Sequence, residues 1–170
     1  MSTDLLSPLA AWAAQAGCSR LVRDDAVVIA DEGGEIRFYV RGDGAQWVVS
    51  RAERAEDEAI LMTATDVTAI ERHLTEQIGW DVRARRAFSQ IFLPYQLDAV
   101  APGYRIDASS EGWATLVDVK TGRAVADLLH TGVPYRAVSY SWYADARPED
   151  LRSWSSDPYG GALQQFVAQK

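Results

Sequence analysis

Little in this chain of 170 residues is chemically reactive. There is one cysteine, Cys18, so no internal disulfide and no cysteine-built zinc site can form. There are two histidines, His73 and His130. No apolar run approaches the roughly 20 residues of a membrane-spanning helix, and none of the D-x-D-x-D-G, H-E-x-x-H or phosphate-loop patterns occurs. The glycine pairs Gly33-Gly34 and Gly160-Gly161 are isolated from any lysine-bearing helix start. No cofactor or metal is therefore expected. Positive charge is also short. Seventeen Lys and Arg against 24 Asp and Glu leave 17 − 24 = −7. That disfavours nucleic acid, whose phosphates require a basic face, and suits a partner with a basic surface. The N-terminus, MSTDLLSPLAAWAAQAG, has no basic leader and carries Asp4, so the expected location is cytoplasmic, with no membrane association.

What the chain does have is core. Hydrophobic residues make up 48% of it, enough for a single packed domain over 1–170. Ser7-Pro8 followed by LAAWAAQA predicts a helix over 8–16, with Ser7 as its cap and Gly17 ending it in a left-handed conformation. Strand patterns follow at Ala26–Ala30, at Ile36, Phe38 and Val40 alternating with Arg37, Tyr39 and Arg41, at Trp47–Val49 and at Ile60–Met62. Short turns join them, which makes an antiparallel meander. Val67, Ile70, Leu74 and Ile78 then repeat at helical spacing, predicting a helix over 66–78 with Thr65 or Asp66 as cap and Gly79 as stop. Arg83, Arg85 and Arg86 read as a basic stretch beyond it, and Pro94 and Pro102 mark a connection with one helical turn at Leu97–Val100.

A second meander begins near Tyr104. It takes in Trp113, Thr115, Val117 and Val119 as an inward face, then Ala124–Leu129 and Ala137–Trp142 as further strands. Pro148-Glu149-Asp150-Leu151 opens a last short helix. The expected fold is α+β: a mostly antiparallel sheet built from two β-meanders, with two or three helices packed against it. Trp12, Trp47 and Trp113 fall on predicted core faces, His73 on a half-exposed one, and Cys18 reads as a small buried residue.

The densest charge lies in Ser50–Ala59, SRAERAEDEA, with Arg51 and Arg54 beside Glu53, Glu56, Asp57 and Glu58. Catalytic carboxylates need burial or a partner that moves one pKa toward neutrality. A charged turn between two strands offers neither. A solvated turn and a docking surface for a basic partner stay open as readings. A small enzyme using His130 with Asp118 or Asp127 is an alternative of another class. No G-x-S-x-G or comparable signature surrounds Ser139, Ser141 or Cys18, so no catalytic residue is assigned.

Several segments in order carry a resemblance: SPLAAWAAQAG, WVVSRAERAEDEAILM, VTAIERHLTEQIGWDVR, LPYQLDAVAPGYRI and SYSWYADARPEDLRSWSSDPYGG. Together they resemble a bacterial polymorphic-toxin immunity-protein family, the one that includes the immunity factor of the tuberculosis necrotizing toxin. The resemblance spans most of the chain. It implies an antitoxin, not an enzyme, that binds a cognate secreted toxin and occludes its active site; the toxin of the best-known case hydrolyses NAD. An adaptor or chaperone for a secreted effector is the neighbouring alternative. The turn carboxylates Asp31, Glu32, Asp43, Glu53, Glu56 and Asp57 are the expected partner-contacting residues.

Overall fold

The fold comes from a computed structural model, which describes residues 6–42, 45–109 and 111–168. Helix α1 (Ser7–Gln15) leads into strands β1 (Ser19–Arg23), β2 (Ala26–Ala30), β3 (Ile36–Gly42), β4 (Trp47–Glu53) and β5 (Ala59–Ala64). Helix α2 (Val67–Arg85) and a 3-10 turn (Leu97–Ala99) connect to β6 (Tyr104–Ala108), β7 (Trp113–Asp118) and β8 (Ala124–Leu129). Helices α3 (Tyr135–Ser141) and α4 (Pro148–Ser156) and a 3-10 turn (Gly161–Phe166) follow. The eight strands make one sheet in the order β1-β2-β3-β4-β5-β8-β7-β6, antiparallel throughout. The two expected meanders are thus joined, by the β5–β8 pairing of Met62 with Leu128 and Thr63 with Asp127.

The helices cover one face. Leu9, Trp12 and Ala13 of α1, Ile70, Leu74, Ile78 and Val82 of α2, and Ala137 and Tyr140 of α3 close on Val27, Ile29, Val40, Val49, Met62, Leu116 and Leu128. Helix α4 packs against α2 and the Gly161–Phe166 turn. Period-two alternation sends the intervening residues to the other face, where Leu21, Val28, Tyr39, Ser50 and Ile60 pair in a row across five strands.

Several local expectations are corrected. Ser7 does not cap α1; Leu6 occupies that position without a side-chain bond, and Pro8 sits in the first turn. Gly17 does close the helix, at φ 75°, with the N–H groups of Gly17 and Cys18 returning to Ala14 and Ala13 carbonyls. Asp66 caps α2 through a bond from Thr68 N–H to Oδ1 at 2.9 Å. Gly79 does not stop α2. A Cβ there would lie 2.8 Å from Ser155 Oγ, so the glycine lets α4 approach and the helix runs to Arg85. Arg83 and Arg85 therefore lie in its last turn.

Ala137–Trp142 is not a strand. Ala137, Val138, Tyr140 and Ser141 are buried at positions i, i+1, i+3 and i+4, the stripe of a helix. Tyr140 donates to the Ala69 carbonyl and Ser141 Oγ accepts from Ala101 N–H. In β7 the register directs Ala114 and Leu116 inward, opposite Leu128 and Ala126, which leaves Trp113 and Thr115 on the outer face. Strand β1, SRLVR, was too polar to be read as a strand. It is an edge strand, the place where polar residues are tolerated.

Candidate partner-binding surfaces

The first surface is an edge of turns. Because Ile36 pairs with Glu53, the β2–β3 and β4–β5 turns lie side by side. Asp31 shapes its own turn: its Oδ1 accepts from Ile36 N–H at 3.1 Å, and its N–H donates to the Ile36 carbonyl. Arg54 takes a left-handed conformation at φ 51°, and its N–H reaches the Glu35 carbonyl at 2.6 Å. Arg37 staples both turns, donating to the Gly34 and Arg54 carbonyls. This edge brings together Asp31, Glu32, Glu53, Glu56 and Asp57. Asp43, nominated with them, lies outside the described residues.

These carboxylates are not equivalent. Glu32 pairs with Arg85 at 3.1 Å and Glu53 with Arg51 at 3.0 Å, both exposed to water. Glu58, which shares their block, is held bidentately by Arg41 at 2.6 and 3.0 Å and receives the Ser50 hydroxyl at 2.7 Å. Those bonds hold its carboxyl below the usual range, the hydrogen bond from Arg41 first among them. Glu56 and Asp57 are exposed and have no ion-pair partner among the described residues. Sequence proximity had grouped Glu58 with its neighbours; the strand register separates it from them.

The second surface was not legible in the sequence. It is a pocket of about 350 Å³ between α2, the segment 91–95 and α3. Helix α2 contributes His73, Glu76, Gln77 and Trp80 at spacings of three, one and three. His73 is only 3% exposed, not half-exposed as expected, and neither ring nitrogen has a hydrogen-bond partner among the described residues. Burial, aided by the Arg136 charge, lowers its pKa to about 4. Glu76 accepts from Gln77 Nε2 at 2.7 Å. Burial raises its pKa, while bonding from Gln77, Trp80 and Tyr143 works the other way.

Aromatic side chains border this pocket. Trp80 and Phe92 meet edge to face at 5.3 Å and are 40% and 57% exposed. Tyr95 is 61% exposed and Tyr135 40%. Arg136 lies 5.0 Å from the Tyr135 ring centroid and donates to the Leu129 carbonyl at 3.1 Å. The aromatic run Tyr140–Tyr143 stands behind: both tyrosines are buried, 4.9 Å apart, and Trp142 Nε1 donates to the Ala99 carbonyl.

The histidine–carboxylate alternative does not assemble. In the β7–β8 hairpin Val117 pairs with Ala124 and Trp113 with Leu129. That puts Asp118 at the turn end and His130 at the far end, opposite Gly112, roughly 20 Å away for six residues of strand. Asp118 caps its turn, accepting from Lys120 and Thr121 N–H groups, which lower its pKa. Asp127 takes the Thr115 hydroxyl, three positions before His130 in β8. Neither ring nitrogen of His130 has a partner among the described residues. Among those residues no cluster of three or more His, Cys, Asp or Glu can hold a metal, and no helix is long and apolar enough to cross a membrane.

One antiparallel eight-stranded sheet with helices on one face makes this an α+β domain with two candidate contact surfaces. Comparison with known proteins makes the assignment specific. The model of the family described as Immunity protein 61 matches residues 12–163, and the chain belongs to that family. It is 24% identical to the Immunity factor for TNT of Mycobacterium tuberculosis (strain ATCC 25618 / H37Rv), over 96% of this chain and 94% of that one. The Immunity factor for TNT homolog of Mycobacterium bovis (strain BCG / Pasteur 1173P2) matches to the same extent. Among solved structures, Rv3902c from M. tuberculosis superimposes with a TM-score of 0.79 at 25% identity, over 96% of this chain and 92% of the other. The resemblance read in the sequence is therefore confirmed at the level of family and fold.

Proposed function

We propose that this immunity protein binds a cognate protein toxin inside the producing cell and covers its active site, the toxin being an NAD-hydrolysing enzyme. Membership of the Immunity protein 61 family carries this reading, with relatives named as immunity factors for TNT matching along nearly the whole chain. The acidic edge supplies the approach. Exposed carboxylates on a chain of net charge −7 raise the encounter rate with a basic partner. Asp31, Glu32, Asp43, Glu53, Glu56 and Asp57 are the proposed contacts, with Glu56 and Asp57 foremost because they are exposed and form no ion pair among the described residues.

Co-expression with the toxin encoded beside it tests the proposal. Cells carrying both grow, and the two chains purify as a complex in which NAD hydrolysis is suppressed. Failure to bind or protect sinks the toxin reading. Steering is tested by salt: the association rate should fall steeply between about 0.05 and 0.5 M ionic strength, and a flat profile removes the steering argument.

A further inference from the structure

We propose that the pocket bordered by Trp80, Phe92, Tyr95 and Tyr135 is the anchoring site for one cationic side chain, lysine or arginine, of the protein partner, received by the Glu76 carboxyl and the His73 ring. This rests on the toxin-binding reading and adds to it the place where the partner is held, as distinct from the edge that attracts it.

Three observations converge. The first is exposure. Four aromatic rings of one small region stand between 40% and 61% open to solvent, whereas Trp12, Tyr140 and Tyr143 of the same chain are fully packed. Exposed Trp and Tyr around a recess have the make-up of an interface hot spot. The second is an unmet demand for a donor. His73 is buried, lines the pocket and has no partner at either ring nitrogen among the described residues. An imidazole that titrates near 4 is neutral at pH 7, so one of those nitrogens is an acceptor. Glu76 adds carboxyl oxygens beside it. The third is the rim itself, since ring faces attract cations.

A lysine ammonium or an arginine guanidinium brings donors and no acceptors, so it can satisfy both groups while its alkyl stem lies against the rings. An apolar side chain would leave the His73 ring unpaired in a desolvated site. An acidic one would oppose Glu76. Arg136, the cation already lining the pocket, is committed to the Leu129 carbonyl and the Tyr135 face. The partner's cation would therefore approach by Glu76 and Trp80. The chain's negative charge points to the same occupant, because a basic toxin surface offers such side chains in number.

The experiment has two arms. In the first, the full chain and its Glu76→Gln, Phe92→Ala and Tyr95→Ala variants are titrated calorimetrically with the neighbouring toxin. Each variant should bind roughly tenfold or more weakly. Phe92 and Tyr95 are exposed, so their loss should leave the thermal unfolding midpoint in place and keep the result interpretable if Glu76→Gln folds poorly. Wild-type affinity in Phe92→Ala and Tyr95→Ala overturns the proposal.

In the second arm, the isotopically labelled full chain is titrated with the amides of N-acetyl-lysine, N-acetyl-arginine, N-acetyl-norleucine and N-acetyl-glutamate. The two cations should move the Trp80 indole N–H and Phe92 amide resonances, and Glu76→Gln should abolish the shift. No shift, an equal shift with norleucine, or a preference for glutamate overturns the cation site. A wild-type chain that ignores the toxin yet passes the second arm sinks the toxin reading alone. One that binds the toxin but fails the second arm sinks only the pocket.

Discussion

Arg83 is the buried charge on which the helical layer depends. It is 1% exposed, on the last full turn of α2, and among the described residues no carboxylate forms an ion pair with it, although the Asp157 charge favours it. Its guanidinium instead donates to carbonyls: Nε to Ser89 at 2.7 Å, Nη1 to Asp157 at 2.7 Å and Ser155 at 3.2 Å, and Nη2 to Pro158 at 3.0 Å. Those acceptors are the unsatisfied end of α4, where the helix dipole also favours a cation, and the turn that starts the pocket-lining segment. Four bonds from a charged donor would contribute about 1.5–3 kcal/mol each. Desolvating the guanidinium takes back several kcal/mol, consistent with a pKa that burial pulls below the ordinary arginine value.

The net cost of Arg83→Met is then about 3–5 kcal/mol, from carbonyls left buried without a donor. At about 2–4 °C per kcal/mol for a chain of this size, the midpoint should fall by about 6–20 °C. Arg83→Lys keeps the charge but offers three donors from one atom, which cannot reach carbonyls on both sides. It should lose about half as much. Thermal and urea unfolding followed by circular dichroism measure both. An Arg83→Met protein within about 1 kcal/mol of wild type, or a Lys variant indistinguishable from it, would refute the argument that these carbonyls need this donor.

The remaining predictions concern the pocket, the helix contact and the edge. The pKa of His73 falls from 6.5 to about 4 on folding, so the unfolded chain takes the proton first. Its contribution is fully present above pH 6.5 and declines as pH falls toward 4, by about 3 kcal/mol in all. Glu76 shifts upward and acts in the opposite sense. The difference between wild type and His73→Phe across that window, measured by urea titration, therefore isolates the histidine, and parallel profiles would count against its burial. Gly79→Leu should cost about 2–3 kcal/mol, because its side chain must displace Ser155 and part α4 from α2; unchanged stability would mean that the helices are not in close contact there. Glu56→Lys with Asp57→Lys should leave stability within about 0.5 kcal/mol while slowing toxin association at low salt. Stopped-flow rates that match wild type would exclude this edge from the encounter.

What the sequence determined by itself was local and periodic. Alternation in β3, the continuous apolar run of β2 and the spacing of Val67, Ile70, Leu74 and Ile78 mark the residues that seek burial, and burial then favours a sheet with helices on one face. The turn carboxylates were legible for the same reason, since short turns between strands keep charge in water. Ordered landmarks spread along the chain also sufficed for the family.

Tertiary structure decided the rest. A glycine that would end an isolated helix instead serves the contact of α2 with α4, and VSYSW alternates like a strand yet folds as α3 because its partners are Ala69 and Ala101. Glu58 leaves the acidic edge because strand register brings it to Arg41, a residue 17 positions away. The pocket draws side chains from residues 73 to 143, and no local pattern encodes a meeting of segments that far apart. Periodicity reports which residues seek burial. Which of them meet is settled by chain crossing and packing, where long-range contacts outweigh local preference.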